Sequence, residues 1–141
     1  MVRIYLSATI LFLFLSACAA IPHKQLDGNP AFSPHQYSSS DMDVSWKSEK
    51  QDNALRIDGI LTNVRENSVY DSVELEATLL DSQGKVLAKN TYHFTPVKLK
   101  GSESFKMTIP LEGNSQPDRI KFNYRYGIED DRYSVKFESK P

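Results

Sequence analysis

Arg119-Ile120-Lys121-Phe122-Asn123-Tyr124-Arg125-Tyr126 alternates without a fault, with apolar side chains at every even position and polar ones at every odd position. An extended backbone turns successive side chains to opposite faces, so aromatic and β-branched residues at period 2 read as a half-buried strand and not as a helix. The same alternation runs outward through the chain. Phe105, Met107, Ile109 and Leu111 share a face opposite Lys106 and Thr108, and Val73, Leu75, Ala77 and Leu79 alternate with Glu74, Glu76 and Thr78. Leu55, Ile57, Gly59 and Leu61 form a further set, Tyr133, Val135 and Phe137 another, and Val44 with Trp46 a short first strand. Ser72 to Leu80 is the one stretch where a helix is conceivable, and its period fits a strand better.

Turn residues separate these runs. Ser82-Gln83-Gly84-Lys85 reads as a tight turn whose glycine can take positive φ. Pro96 ends the strand that starts near Val86, because proline cannot donate to a ladder. Lys100-Gly101-Ser102 and Gly113-Asn114-Ser115 are further breaks. About seven short antiparallel strands with turn signals between them predict an all-β chain, a single β-sandwich over residues 43–141.

Upstream the composition changes. From Ala19 to about Asp41 the chain holds Pro22, Gly28, Asn29, Pro30, Pro34 and Ser38-Ser39-Ser40, with Ile21, Leu26 and Phe32 isolated. Neither period is present, so residues 18–42 read as a disordered tether, a flexible linker of about 24 residues with a stretched limit of about 80 Å. The alternative is that Ala31-Phe32 docks on the sandwich as an extra edge segment. Further upstream, Arg3 precedes an almost continuous apolar run from Ile4 to Leu15, followed by the small residues Ser16 and Ala17. This is the order of an export signal over residues 1–17, shorter than the ~20 residues needed to span a bilayer.

Leu15-Ser16-Ala17-Cys18 resembles the lipobox of bacterial lipoproteins. The resemblance implies cleavage before Cys18, a diacylglycerol on its sulfur and an acyl chain such as palmitate on its amine. Two or three chains, at about 0.8 kcal/mol per buried CH₂, would hold the domain on a membrane permanently. Ala rather than Asp at position 19 implies, by likeness to lipoprotein sorting, the periplasmic face of the outer membrane if the host is Gram-negative; in a host with a single membrane the domain faces outward instead. Ordinary secretion with cleavage near Ala20 is the competing reading, and it would discard Cys18.

Removing residues 1–17 takes away Arg3 and no acidic residue, which leaves 16 basic and 18 acidic residues and a formal charge of −2. Signs are interspersed, so the pattern is not that of a nucleic-acid binder or of a polybasic membrane patch. Cys18 is the only cysteine, so no intramolecular disulfide forms, and stability has to come from packing.

Gly59 and Asn63, then Tyr70, then Leu79-Leu80-Asp81 with Gly84, and finally Leu99, Gly101 and Phe105 resemble the motif of FxLYD-type immunoglobulin-like domains of bacterial envelope proteins. Leu80 stands where the motif has Tyr, and Ala77 where it has Phe. The resemblance covers about half of the mature domain; it implies an immunoglobulin-like sandwich and no particular reaction.

Catalytic constellations are sparse. His93 in Thr91-Tyr92-His93-Phe94 falls on the outer phase of its strand, and His23 and His35 fall in the linker, where no side chain is held to catalytic precision. There is no Gly-x-Ser-x-Gly and no glycine-rich phosphate loop. No Cys/His cluster has zinc spacing, and Glu129-Asp130-Asp131 reads as a polar hairpin turn. No enzyme activity, cofactor or metal is expected. Arg119, Lys121 and Arg125, with Arg132 nearby, form a cationic stripe suited to an acidic partner. The expectation is a noncatalytic envelope lipoprotein, a protein-binding or structural module anchored through Cys18. Its edge strands, Val44–Trp46 or Tyr133–Phe137, are available for strand addition. Carriage of a small apolar ligand between the sheets is the alternative.

Overall fold

The computed structural model describes residues 35–65, 67–95 and 98–141. Residues 1–17, Cys18, Ala31-Phe32 and Pro96 lie outside the described residues. Nine strands follow in order: β1 (His35–Ser38), β2 (Met42–Gln51), β3 (Ala54–Asn63), β4 (Tyr70–Leu80), β5 (Val86–His93), β6 (Lys98–Leu99), β7 (Ser102–Pro110), β8 (Arg119–Ile128) and β9 (Asp131–Ser139). One sheet has the order β1-β2-β3-β7 and the other β5-β4-β8-β9, with the two-residue β6 also pairing β4. Every pairing is antiparallel. The chain crosses from one sheet to the other after β3, after β6 and after β7, which makes an immunoglobulin-like β-sandwich.

The alternating residues meet where period 2 sends them. Leu55, Ile57 and Leu61 of β3 and Phe105, Met107 and Ile109 of β7 face Val73, Leu75, Ala77 and Leu79 of β4 and Ile120, Phe122, Tyr124 and Tyr126 of β8; all are buried. Trp46 packs edge-on against Phe122 with ring centroids 4.8 Å apart, and Phe122 stacks on Phe137 at 5.0 Å. An apolar ligand between the sheets would have to displace these rings, since protein interiors pack at crystal-like density.

Two strand assignments change. Residues 35–42, which composition assigns to the linker, belong to the sandwich. His35 to Ser38 pair with Trp46 to Asp43, the Tyr37 ring stacks on Phe137 at 3.9 Å, and His35 stacks on Trp46 at 5.4 Å. Four residues with one large apolar side chain are too few to display a period. Val44–Trp46 is therefore not a short edge strand: it sits inside ten-residue β2, between β1 and β3.

Polar side chains fasten the β1–β2 turn to the opposite sheet. Met42 N–H donates to Ser39 Oγ at 3.0 Å, and that oxygen lies 2.9 Å from Tyr124 Oη. Tyr70 Oη donates to the Asp41 carbonyl at 2.8 Å, while the Asp41 carboxylate pairs with Arg65. Tyr70 reaches this position because β4 carries a bulge between Asp71 and Glu74 against β8. The extra residue, Ser72 at φ 51°, reverses the face of everything before it, so even-numbered Tyr70 and odd-numbered Val73 both point inward.

The motif residues carry structural roles. Asn63 Nδ2 donates to the carbonyls of Ser68 (2.7 Å) and Leu99 (3.2 Å), and its Oδ1 accepts from the Arg65 N–H at 2.8 Å. Gly59 lies between Trp46 and Phe105 in register. The Phe105 ring occupies the space a Cβ would need, and such a Cβ would also overlap the Ser45 carbonyl oxygen. Gly59→Ala is expected to cost about 1–3 kcal/mol of stability, the usual penalty for overpacking, read by urea melting.

The tyrosine cluster implies a second outcome. Burial, reinforced by the negative charge of Asp41, pushes the Tyr70 hydroxyl up from 10.0 to about 12. Burial moves Tyr124 upward and Tyr126 further still. Folded-state values above the unfolded value mean that this stability is fully present below pH 10 and is lost as pH rises through about 12. Denaturant melts between pH 8 and pH 12 are expected to show a decline starting near pH 10, shallower in Tyr70→Phe.

Candidate functional site

The odd-numbered residues of β8 point away from the core, and the register carries them into rows across the outer face of the β5-β4-β8-β9 sheet. One row runs His93, Glu74, Arg125, Ser134; the next runs Thr91, Glu76, Asn123, Lys136; the third runs Lys89, Thr78, Lys121, Glu138. These rows define what the cationic stripe becomes in three dimensions.

Arg119, Lys121 and Arg125 do share this face, yet their surroundings differ. Arg125 Nη2 lies 2.8 Å from Glu74 Oε2, and the same carboxylate has His93 Nδ1 at 3.2 Å on its other oxygen. Arg119 Nη1 lies 3.1 Å from Glu138 Oε2, with Asp118 Oδ2 at 3.7 Å from its Nε. Arg132 reaches Asp71 at 3.4 Å. Cross-strand carboxylates thus hold both arginines of the stripe, and exposed pairs of this kind contribute only about 0.2–1 kcal/mol each.

Lys121 is different. It lines a groove of about 580 Å³ in the sheet face together with Lys89, Lys136, Thr78, Asn123 and Glu76. Among the described residues, none of the three lysines has a carboxylate within ion-pairing distance. Lys89 and Lys121 flank Thr78 from neighbouring strands, roughly 9.5 Å apart at two strand spacings. Lys136 stands one row away beside Asn123. Asn123 Oδ1 accepts from Ser134 Oγ at 2.8 Å, and its amide NH₂ is the donor it has left to offer. Lys89, Lys121, Lys136, Thr78 and Asn123 line one groove, together with Arg119 and with Glu76 and Glu138 as its acidic members. The chemistry such a set offers is attraction and hydrogen bonding to carboxylate or phosphate oxygens.

Lys89 and Lys136 are absent from the sequence-derived stripe. They lie on β5 and β9, and only the strand register brings them beside Lys121. The parity of each strand places them on the outer face, but no linear spacing reveals which rows they join.

His93 is largely exposed and its nearest charged partner is Glu74. Glu129 and Asp130 form the two-residue turn of the β8–β9 hairpin, with Glu129 at φ 54°. Among the described residues no group of three or more His, Cys, Asp or Glu side chains is placed to hold a metal ion.

No family model matches the chain, and no curated protein sequence matches it. Seventeen chains of solved structures do. The yeast GGA1 GAE domain (GGA1_GAE domain-P21) is similar over 76% of this chain and 97% of its own, at 12% identity and a TM-score of 0.44. The GAE domain of GGA2p from Saccharomyces cerevisiae gives 76% and 96%, 11% identity and a TM-score of 0.41. A β-glucuronidase of glycoside hydrolase family 2 is matched over 67% of this chain and 11% of its own, at 13% identity and a TM-score of 0.36.

The contrast between paired arginines and unpaired lysines has a measurable side. Arg125→Ala is expected to lower stability by less than about 1 kcal/mol, and Lys121→Ala by less than that, since neither residue supports the core. Urea melts of the two variants check it.

Proposed function

We propose that this chain is a noncatalytic envelope lipoprotein, anchored through acyl chains on Cys18, whose sandwich docks an acidic segment of a partner protein on the lysine groove. The observation that carries the reading is the gathering of Lys89, Lys121 and Lys136 from three strands without carboxylate partners among the described residues, on a face where the neighbouring arginines are paired. With Lys89, Arg119, Lys121 and Lys136 against Glu76 and Glu138, the groove carries an excess of positive charge, which favours an anionic partner and raises its rate of encounter more than its final affinity.

The anchor rests on the likeness of Leu15-Ser16-Ala17-Cys18 to a lipobox and the apolar segment before it. Sixteen residues separate Cys18 from His35, the first residue of β1. Covalent geometry limits their reach to about 55 Å. The sandwich therefore works within a shell of that depth above the membrane, at the periplasmic face of the outer membrane in a Gram-negative cell. No nucleic acid is invoked as a partner.

A photo-crosslinking side chain placed at Thr91, beside the groove, tests the reading in cells. A discrete protein adduct is expected, mapped to an acidic segment of that protein. It should be lost in the Lys89→Glu/Lys121→Glu/Lys136→Glu variant and greatly reduced in Cys18→Ser. An adduct that survives the triple reversal unchanged, with the variant still folded by circular dichroism, overturns the groove as the docking face. Retention of the full adduct and of membrane association in Cys18→Ser overturns the anchor.

A further inference from the structure

We infer that the free edge of β9 pairs with the same edge of a second copy of this chain, joining two sandwiches into one continuous sheet. This inference does not rest on the proposed function: it is argued from the hydrogen-bonding edge of β9, although Lys136 and Glu138 of that strand also line the groove.

Among the described residues β9 is the last strand of its sheet and pairs with β8 alone. Its register runs without a shift from Ile128↔Asp131 to Ile120↔Ser139. The other sheet edges are blunted in ways proteins commonly use against such pairing. β1 has four residues, β7 ends on Pro110, and β5 meets β4 through a bulge at Leu80. β9 has nine residues, with no proline and no bulge.

The two-residue turn fixes which backbone groups face outward. Such a turn is closed by a pair that exchanges both hydrogen bonds, here Ile128 and Asp131. Bonding then alternates along the strand. Asp131, Tyr133, Val135, Phe137 and Ser139 direct their N–H and C=O groups to β8. Arg132, Ser134, Lys136 and Glu138 direct theirs to the open edge, where no further backbone bond engages them among the described residues.

A two-fold axis perpendicular to the sheet keeps outer faces together, so these four residues must pair among themselves. Only the register centred on Val135 pairs all four. It sets Arg132 opposite Glu138 of the second copy, Ser134 opposite Lys136, Tyr133 opposite Phe137, and Val135 opposite itself. Centring on Ser134 would put Arg132 against Lys136, and centring on Lys136 would put two lysines together; both are repulsive.

The favoured register is self-complementary on both faces. On the outer face it forms two Arg–Glu pairs per dimer, from side chains that are 62% exposed at Arg132 and 45% exposed at Glu138. On the inner face it covers Tyr133, which is 39% exposed, with Phe137. Those rings are already set by their own chain: Tyr133 stacks on Tyr126 at 5.2 Å and Phe137 on Tyr37 at 3.9 Å. β1 supports Phe137 from the facing sheet, and among the described residues no strand pairs with the outer edge of β9. In the dimer both lysine grooves lie on the same face of the shared sheet.

Sedimentation velocity of the purified full chain in density-matched detergent tests the inference. A concentration-dependent dimer is expected. Arg132→Glu or Glu138→Arg alone should weaken it about tenfold, since each turns two attractive cross-strand pairs repulsive. The double variant Arg132→Glu/Glu138→Arg should restore it. Within each copy the double variant still faces Asp71 and Arg119 with like charge, so rescue reports only the contact between copies. In a Cys18→Ser background, Val135→Cys should oxidise readily to a disulfide dimer, because directly opposed residues at a non-hydrogen-bonded site have Cα atoms about 4.5 Å apart. Tyr133→Cys should not. A monomer at every concentration, a dimer indifferent to both reversals, or equal crosslinking at 133 and 135 overturns the inference.

Discussion

The packing of Trp46 against Phe122 is the contact on which the sandwich depends. It joins β2 of one sheet to β8 of the other at 4.8 Å, and the cluster continues through Phe137 to Tyr37. With Cys18 the only cysteine, no disulfide can bridge the sheets as it does in antibody domains, so aromatic contact supplies the cross-link. Each ring buries a large apolar area and adds about 0.5–1.5 kcal/mol for favourable pair geometry. Gly59 belongs to the same arrangement: next to Trp46 in register, it leaves the space that the Phe105 ring fills.

A second constraint operates at one end of the sandwich. Asp41, Arg65, Ser39, Tyr70 and Tyr124 form a partly buried polar set that ties the β1–β2 turn to the far sheet. Buried hydroxyls need partners, and each partner satisfied there fixes the path of the chain entering the domain. β1 consequently belongs to the domain along with β2. Sequence composition hides this because Ser38-Ser39-Ser40 has the character of a linker. Ser39 is there because a short hydroxyl side chain can bond the Met42 N–H and Tyr124 at once.

What the amino-acid order discloses divides along a physical line. Face is a local property, so Arg119 to Tyr126, Val73 to Leu79 and Phe105 to Ile109 could be assigned inward and outward sides from alternation alone, and the structure agrees. Register is not local. Whether Lys121 shares a row with Lys89 depends on how β4 is offset against β5 and β8. Nothing in a single strand records that offset. The bulge at Ser72 is the clearest case: extrapolating the Val73–Leu79 period back to Tyr70 would turn that ring to solvent, whereas it is fully buried. Edge status is equally non-local. Val44–Trp46 and Tyr133–Phe137 look alike as short alternating runs, yet the first is enclosed by β1 and β3 while the second ends its sheet.

The Glu129-Asp130 turn links the groove and the open edge. Outward residues are odd on β8 and even on β9, and a two-residue loop is what makes that change of parity. One residue more or fewer would rotate β9 by half a turn, taking Lys136 off the groove and bringing Tyr133, Val135 and Phe137 to the outer face. The same change would exchange the backbone groups that face the open edge. Glu129 holds φ 54° in this turn, where glycine would be at ease, at a cost of about 1 kcal/mol. A strained acidic residue is tolerated there because the pairing of nine residues in unbroken register outweighs it. Groove and edge are therefore not independent choices of the sequence: both follow from the length of one turn.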